Sequence, residues 1–240
     1  MEDKYLKAKA RQKVLEHNIR SQVSRDEQAR YSPSLNLQKT IAAKLFEQAE
    51  RPWEIFPGLS NFIYKLGPML PFDKYDEISE GVWVHTSAYM MPSVKIDAPA
   101  IIQGGAKICH GAHISGSIIG ACAVVGDCSS VKDSIIFDLG KLYASNTLIR
   151  SVLGYNSSLG AGAASTDIKL DRSTVSVLTP EGMFFPGTNN LGAIIGDCTR
   201  IGANAVLNPG CIIDDHSLIY PLCSVSGYIP PYSIIKSGVS

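Results

Sequence analysis

Apolar positions along the chain follow two different rhythms. Up to about residue 70 they recur at helical intervals: Leu15, Ile19 and Val23 at i, i+4 and i+8, then Leu37, Ile41 and Leu45, then Leu59, Phe62, Ile63 and Leu66. The pattern predicts one helix within residues 2–30. A second follows the break at Tyr31-Ser32-Pro33-Ser34, and a third is ended by Gly67-Pro68. From Val84 the interval becomes six. Val84, Met90, Ile96, Ile102, Ile108 and Ile114 hold it, as do Ile195, Ile201, Leu207, Ile213, Ile219 and Val225. Between these runs the beat continues with one-residue slips, through Ile119, Val125 and Val131, then Ile136, Leu142 and Leu148, then Leu153 and Leu159.

A strand alternates at two residues and a helix repeats near 3.6, so a period of six needs a short strand followed by a corner. One inward side chain per six residues describes a flat-sided prism with three strands per coil, and the beats amount to about seven coils. Glycine follows the apolar residue at Gly120, Gly126, Gly154, Gly160, Gly196 and Gly202, where the backbone must turn. Each coil buries its apolar residues only against the coils above and below, which makes stability nearest-neighbour in character. The interval from Ala163 to Ala193 breaks the beat. Its Thr174-to-Val177 run, the turn Thr179-Pro180-Glu181-Gly182 and Met183-Phe184-Phe185 read as a hairpin, in an excursion expected to cover a site or embrace a neighbour. The chain therefore divides into an N-terminal helical segment, 1–80, and a repeat domain, 81–240, carrying an inserted loop at about 163–193.

Composition narrows the function. Lys plus Arg and Asp plus Glu both number 22, so the net charge is zero, and neither nucleic acid nor an anionic membrane is an expected partner. Residues 2–30 hold eight basic and five acidic side chains, which a solvated helix face accounts for. No window is apolar enough to span a bilayer and the first residues do not form a secretory leader, so the expected location is the cytoplasm. The six cysteines lack CxxC spacing and are expected to stay reduced as small packing residues.

The runs LGYNSSLGAGA, AIIGDCTRIGANAVLNPGCII and VSGYIPPYSII resemble the hexapeptide-repeat acyltransferases. They are most similar to the acetyltransferase half of N-acetylglucosamine-1-phosphate uridyltransferases and its stand-alone relatives. The resemblance covers roughly Gly81 to Ser240 and implies a mainly β fold, the left-handed parallel β-helix. It also implies a homotrimer, acetyl-CoA as a co-substrate rather than a bound cofactor, and a sugar phosphate or nucleotide sugar as acceptor. The nucleotidyltransferase half of that family has no counterpart in these 240 residues.

Family members use a histidine as base on the sugar amine, since an ammonium cannot attack a thioester until it loses a proton. By the resemblance that histidine falls on Ala144, the nearby tyrosine on Thr147 and the aspartate on Arg150. The substrate arginine falls on Ser115, a glutamate on Ser130, an asparagine on Ser158 and the loop lysine on Asn190. Lys132 matches a substrate-binding lysine and Ala161 an alanine beside the acetyl-CoA tunnel. Lys132 and Arg150 are therefore the candidate substrate contacts, Ala161 the candidate donor contact, and His110 the candidate replacement base. His85, His110 and His113 do not have the convergence a zinc site needs, and no metal site is expected. Two functions fit: an acyltransferase acting on a sugar phosphate or nucleotide sugar with its base relocated, or a non-catalytic trimeric ligand-binding or scaffold protein descended from such an enzyme.

Overall fold

The computed structural model describes residues 34–236. From Val82 to Ile235 the chain winds as a parallel β-helix with three faces. Face I stacks Val82–His85, the second halves of Lys95–Ile102 and His113–Ile119, then Ile135–Ile136, Val152–Leu153, Ile194–Ile195, Ile212–Ile213 and Tyr228–Ile229. Face II stacks Tyr89–Met90, Lys107–Ile108, Val124–Val125, Lys141–Leu142, Ser158–Leu159, Arg200–Ile201, Leu218–Ile219 and Ile234–Ile235. Face III takes the first halves of the two long strands, then Ser130–Lys132, Thr147–Ile149, Ala164–Ser165, Val206–Leu207 and Ser224–Val225. Seven complete coils and two faces of an eighth result. At ~4.8 Å per coil the prism is about 34 Å long. This is the mainly β, left-handed parallel β-helix that the six-residue beat and the family resemblance lead one to expect.

The beat residues form the inner columns. Ile102, Ile119, Ile136, Leu153, Ile195 and Ile213 succeed one another in register on face I and are buried, and the other two faces repeat the arrangement. Each such side chain contributes roughly 1.5–3 kcal/mol by leaving water. The slips are one-residue deletions at the corner from face III to face I, between Ile114 and Ile119, Val131 and Ile136, and Leu148 and Leu153. Buried Ser117, Ser134 and Ser151 occupy this shortened corner. The Ser134 backbone N–H donates to Ser117 Oγ at 3.0 Å, that of Ser151 to Ser134 Oγ at 3.1 Å, and that of Ala193 to Ser151 Oγ at 2.9 Å. Hydroxyls thus replace the carbonyls that the tighter turn withdraws from the ladder. The residue before each serine, Gly116, Asp133 or Arg150, has φ between 44° and 58°.

Face I is covered by the chain itself. Its outward residues Trp83, Ile101, Ile118, Ile135, Val152, Ile194 and Ile212 form a second buried cluster with residues of the N-terminal segment and the inserted loop. In the N-terminal segment, the expected third helix is α2 (Phe56–Leu66), whose Leu59 and Ile63 are buried. The expected second helix is instead a 3-10 turn (Leu37–Lys39) and a short α1 (Ala43–Glu47). They separate at Thr40, which is extended with its hydroxyl accepting from the Ala42 N–H. The helix read within residues 2–30 lies outside the described residues. One strand was not anticipated: Tyr75–Ser79 pairs antiparallel with Val82–His85 and closes the first coil.

The excursion at 163–193 leaves from the corner between faces III and I. Its base is closed by the Leu191 N–H on the Asp167 carbonyl at 2.9 Å. The expected hairpin is present, Val177–Thr179 antiparallel to Gly182–Phe184. It folds onto the chain's own face I, where the Arg51 guanidinium sits 3.8 Å from the centre of the Phe184 ring and Trp53 lies 6.0 Å from it. Ile168 and Leu170, in the first half of the loop, are exposed.

Candidate active face

With face I sealed, outward chemistry is confined to faces II and III. Face III presents two outward columns, because every second residue of a strand points away from the core. One column runs Lys95, His113, Ser130, Thr147 and the other Asp97, Ser115, Lys132, Ile149, each step being one coil.

The four residues singled out from the sequence lie on the two edges of this face. Lys132 is exposed at the edge near face I, and the Arg150 backbone N–H donates to its carbonyl at 2.9 Å. Arg150 Nε is 3.6 Å from Asp133 Oδ2, so one acid partly offsets the positive charge of this edge. His110 and Ala161 are on the opposite edge, where face II turns into face III. There His110, Asp127, Ala144 and Ala161 occupy equivalent positions in successive coils, linked by the N–H of Cys128 on the His110 carbonyl, of Ser145 on that of Asp127, and of Gly162 on that of Ala144. His110 and Ala161 are therefore ~14 Å apart along the axis. The His110 backbone N–H donates to Asp127 Oδ1 at 3.0 Å, and its ring Nδ1 is 3.0 Å from Ser93 Oγ.

A pairing that the sequence reading did not single out lies between the two edges. His113 Nε2 is 2.6 Å from Asp97 Oδ2, and Lys95 Nζ is 3.2 Å from the same oxygen. Hydrogen bonds from His113 and then Lys95 hold the Asp97 carboxyl below its ordinary range, so it is ionised at neutral pH. Asp97 and His113 are 16 residues apart, one coil less the two residues that separate the columns. Scanning for a carboxylate 16 residues before a histidine would have found the pair.

The other described histidines differ. His85 Nδ1 meets Ser87 Oγ at 2.9 Å. His216 Nδ1 meets Asp215 Oδ2 at 2.7 Å, but its ring is stacked on Tyr232 at the corner between faces I and II, in the seventh coil. Among the described residues no group of three His, Cys, Asp or Glu is arranged to hold a metal ion. No described helix is long and apolar enough to cross a membrane.

No family model matches the chain. Among curated proteins it is 30% identical over 149 residues to the uncharacterized acetyltransferase YaiX of Escherichia coli O6:K15:H31, covering 54% of this chain and 65% of that one. It is 31% identical over 111 residues to the bifunctional protein GlmU of Methanococcus maripaludis, covering 46% of this chain and 27% of that one. The chain is similar to hexapeptide-repeat acetyltransferases. It spans less than two thirds of the length of these relatives. Two solved acetyltransferases overlap weakly with the coil. The acetyltransferase domain of PglB from Neisseria gonorrhoeae has 18% identity, a TM-score of 0.31, and 63% and 60% of the two chains covered. A GDP-perosamine N-acetyl transferase from Caulobacter crescentus, in complex with CoA and GDP-perosamine, has 16% identity, a TM-score of 0.30, and 63% and 50% covered.

Proposed function

We propose that the protein transfers an acyl group from an acyl-CoA to a sugar phosphate or nucleotide sugar bound on face III. The observation that carries this reading is the exposed Lys132, whose carbonyl accepts from the Arg150 backbone N–H, at the edge of a face that also presents Ser115, Ser130, Thr147, Lys95 and a histidine–carboxylate pair. An anionic acceptor held between Lys132 and Arg150 makes charge-assisted contacts of roughly 1.5–3 kcal/mol each. The acetyltransferase relatives support the donor class, and the ligands of the perosamine enzyme, CoA and a nucleotide-linked sugar, are of the kind proposed here. Ala161 lies on the edge opposite Lys132, two coils further along, and is the position proposed to border the acyl-CoA.

The reading is tested by binding. Calorimetric titration with acetyl-CoA and with glucosamine 1-phosphate is expected to give saturable binding of both, with Lys132→Ala weakening the phosphate ligand tenfold or more at unchanged melting temperature. Binding of the phosphate ligand without any acyl transfer would favour the non-catalytic reading, and equal affinity in wild type and variant would leave Lys132 a surface residue.

A further inference from the structure

We infer that His113, held by Asp97, is the general base of face III, replacing the histidine that the chain lacks at position 144; this rests on the acyl-transfer reading above. Asp97 is a hydrogen-bond acceptor only, so the 2.6 Å contact requires the hydrogen on His113 Nε2. The neutral ring then carries its lone pair on Nδ1, which meets no hydrogen-bond partner among the described residues. The His113 side chain is 42% exposed, so a ligand on the face can reach it. A carboxylate that fixes one nitrogen and stabilises the imidazolium leaves the other nitrogen as the base. The charged groups facing the ring are Lys95 and Asp97 from one strand and Lys132 from the coil above.

The alternatives lack one element each. His110 and His85 turn a ring nitrogen to a serine hydroxyl instead of a carboxylate. His216 has a carboxylate but is four coils, ~19 Å, beyond the level of Lys132 and on another edge.

Register also defines the acceptor. His113 pairs with Ser130, and Lys132 is two residues further on, so His113 and Lys132 are diagonal neighbours with Cα atoms about 8 Å apart. An acceptor that places an anion on Lys132 and its nucleophile at His113 carries the two groups only a few bonds apart, as in an amino sugar phosphate. Nδ1 takes the proton from the acceptor nitrogen as that nitrogen attacks the thioester carbonyl. The N–C bond forms, the C–S bond breaks, and the imidazolium returns the proton to the departing thiolate. Amine and acyl-CoA become amide and CoA thiol, with no oxidant or reductant.

The test follows thiol release from acetyl-CoA with glucosamine, glucosamine 1-phosphate, glucosamine 6-phosphate and a UDP-linked amino sugar as acceptors. His113→Gln is expected to lower kcat by about 10²- to 10⁴-fold with KM nearly unchanged and to remove the acid limb of the pH profile. Asp97→Asn is expected to lower kcat less, again with KM nearly unchanged, while His216→Gln matches wild type. A His113→Gln enzyme as fast as an active wild type, or the same loss in His110→Gln alone, overturns the assignment and leaves the acyl-transfer reading standing. Absence of thiol release from wild type with every acceptor overturns both. A nitrogen-15 spectrum of the wild type gives a readout independent of activity: hydrogen on Nε2 of His113 is expected, and hydrogen on Nδ1 overturns the assignment.

Discussion

A glycine of the coil and a glycine of the helix that covers it answer oppositely to an added methyl group. A Cβ on Gly160 would lie 2.5 Å from the Ala203 backbone nitrogen in the next coil, and backbone cannot yield as a side-chain tip can. Gly58, inside α2, would place its Cβ 3.6 Å from Leu45 Cδ1, an ordinary contact. Gly160→Ala is therefore expected to destabilise by ~1–3 kcal/mol, and Gly58→Ala to stabilise by roughly 0.5–1 kcal/mol, both read from denaturant unfolding. Asp138 offers a test of charge. Burial raises its pKa above the usual carboxylate value, more than the Ala121 N–H and Lys39 lower it. A raised folded-state pKa means that its contribution is fully present below the unfolded pKa and is lost as pH rises through the folded one. Asparagine keeps an acceptor for the Ala121 N–H at 2.8 Å without the buried charge. Asp138→Asn is accordingly expected to raise the melting temperature at about pH 7, with the gain gone below about pH 4. Asp97 has the opposite sign, its contribution being lost as pH falls through its lowered pKa.

At the scale of elements, the cover on face I depends on a few large side chains. Trp53 is 4% exposed, and its neighbours Arg51 and Phe184 join the N-terminal segment to the inserted hairpin. Trp53→Ala is expected to cost ~3–5 kcal/mol and to open the 167–190 loop to limited proteolysis while the coil's far-ultraviolet signal persists. The coil itself was legible because its inward residues recur at six, a period no other element shares. The cover was not read, although it leaves a mark: Ile101-Ile102, Ile118-Ile119, Ile135-Ile136, Val152-Leu153, Ile194-Ile195 and Ile212-Ile213 are apolar doublets in six successive coils of face I, whereas faces II and III carry such doublets only in scattered coils, as at Val124-Val125, Val206-Leu207 and Leu218-Ile219. The beat explains only the second member of each; the first faces outward and needs a partner. The predicted second helix failed at Thr40 because a side-chain hydroxyl captured the N–H two residues on, a local competition that periodicity does not register. At the candidate site, the family resemblance alone proposed Lys132, and the coil sets it on the exposed edge of face III. The His113–Asp97 pair was not, because its proximity comes from coil register and not from sequence spacing within one strand.

For the molecule as a whole, a sealed face I directs any assembly to faces II and III. Leu218, Tyr220 and Ile234 are exposed toward the C-terminal end of face II, where a neighbouring prism could cover them. Light scattering is expected to give about three times the 25.8 kDa chain, and a strict monomer at micromolar concentration would count against the trimer.

The segment from Ser34 to Lys39 lies across the coils like a splint. The Ser34 N–H donates to Asp214 in the seventh coil, the Asn36 N–H to Asp197 in the sixth, and the Lys39 carbonyl accepts from the Asp138 N–H in the fourth. Further along, Gly67 at the end of α2 abuts Trp83 in the first. A bare solenoid has no intrinsic length, since one more coil repeats the same contacts. Here the lead-in acts as a ruler. A coil duplicated between the fourth and the sixth would satisfy every inward column yet pull Asp197 and Asp138 out of step with a strap of fixed length. Lengthening this prism therefore requires a matching insertion some hundred residues upstream, so coil number and lead-in must change together.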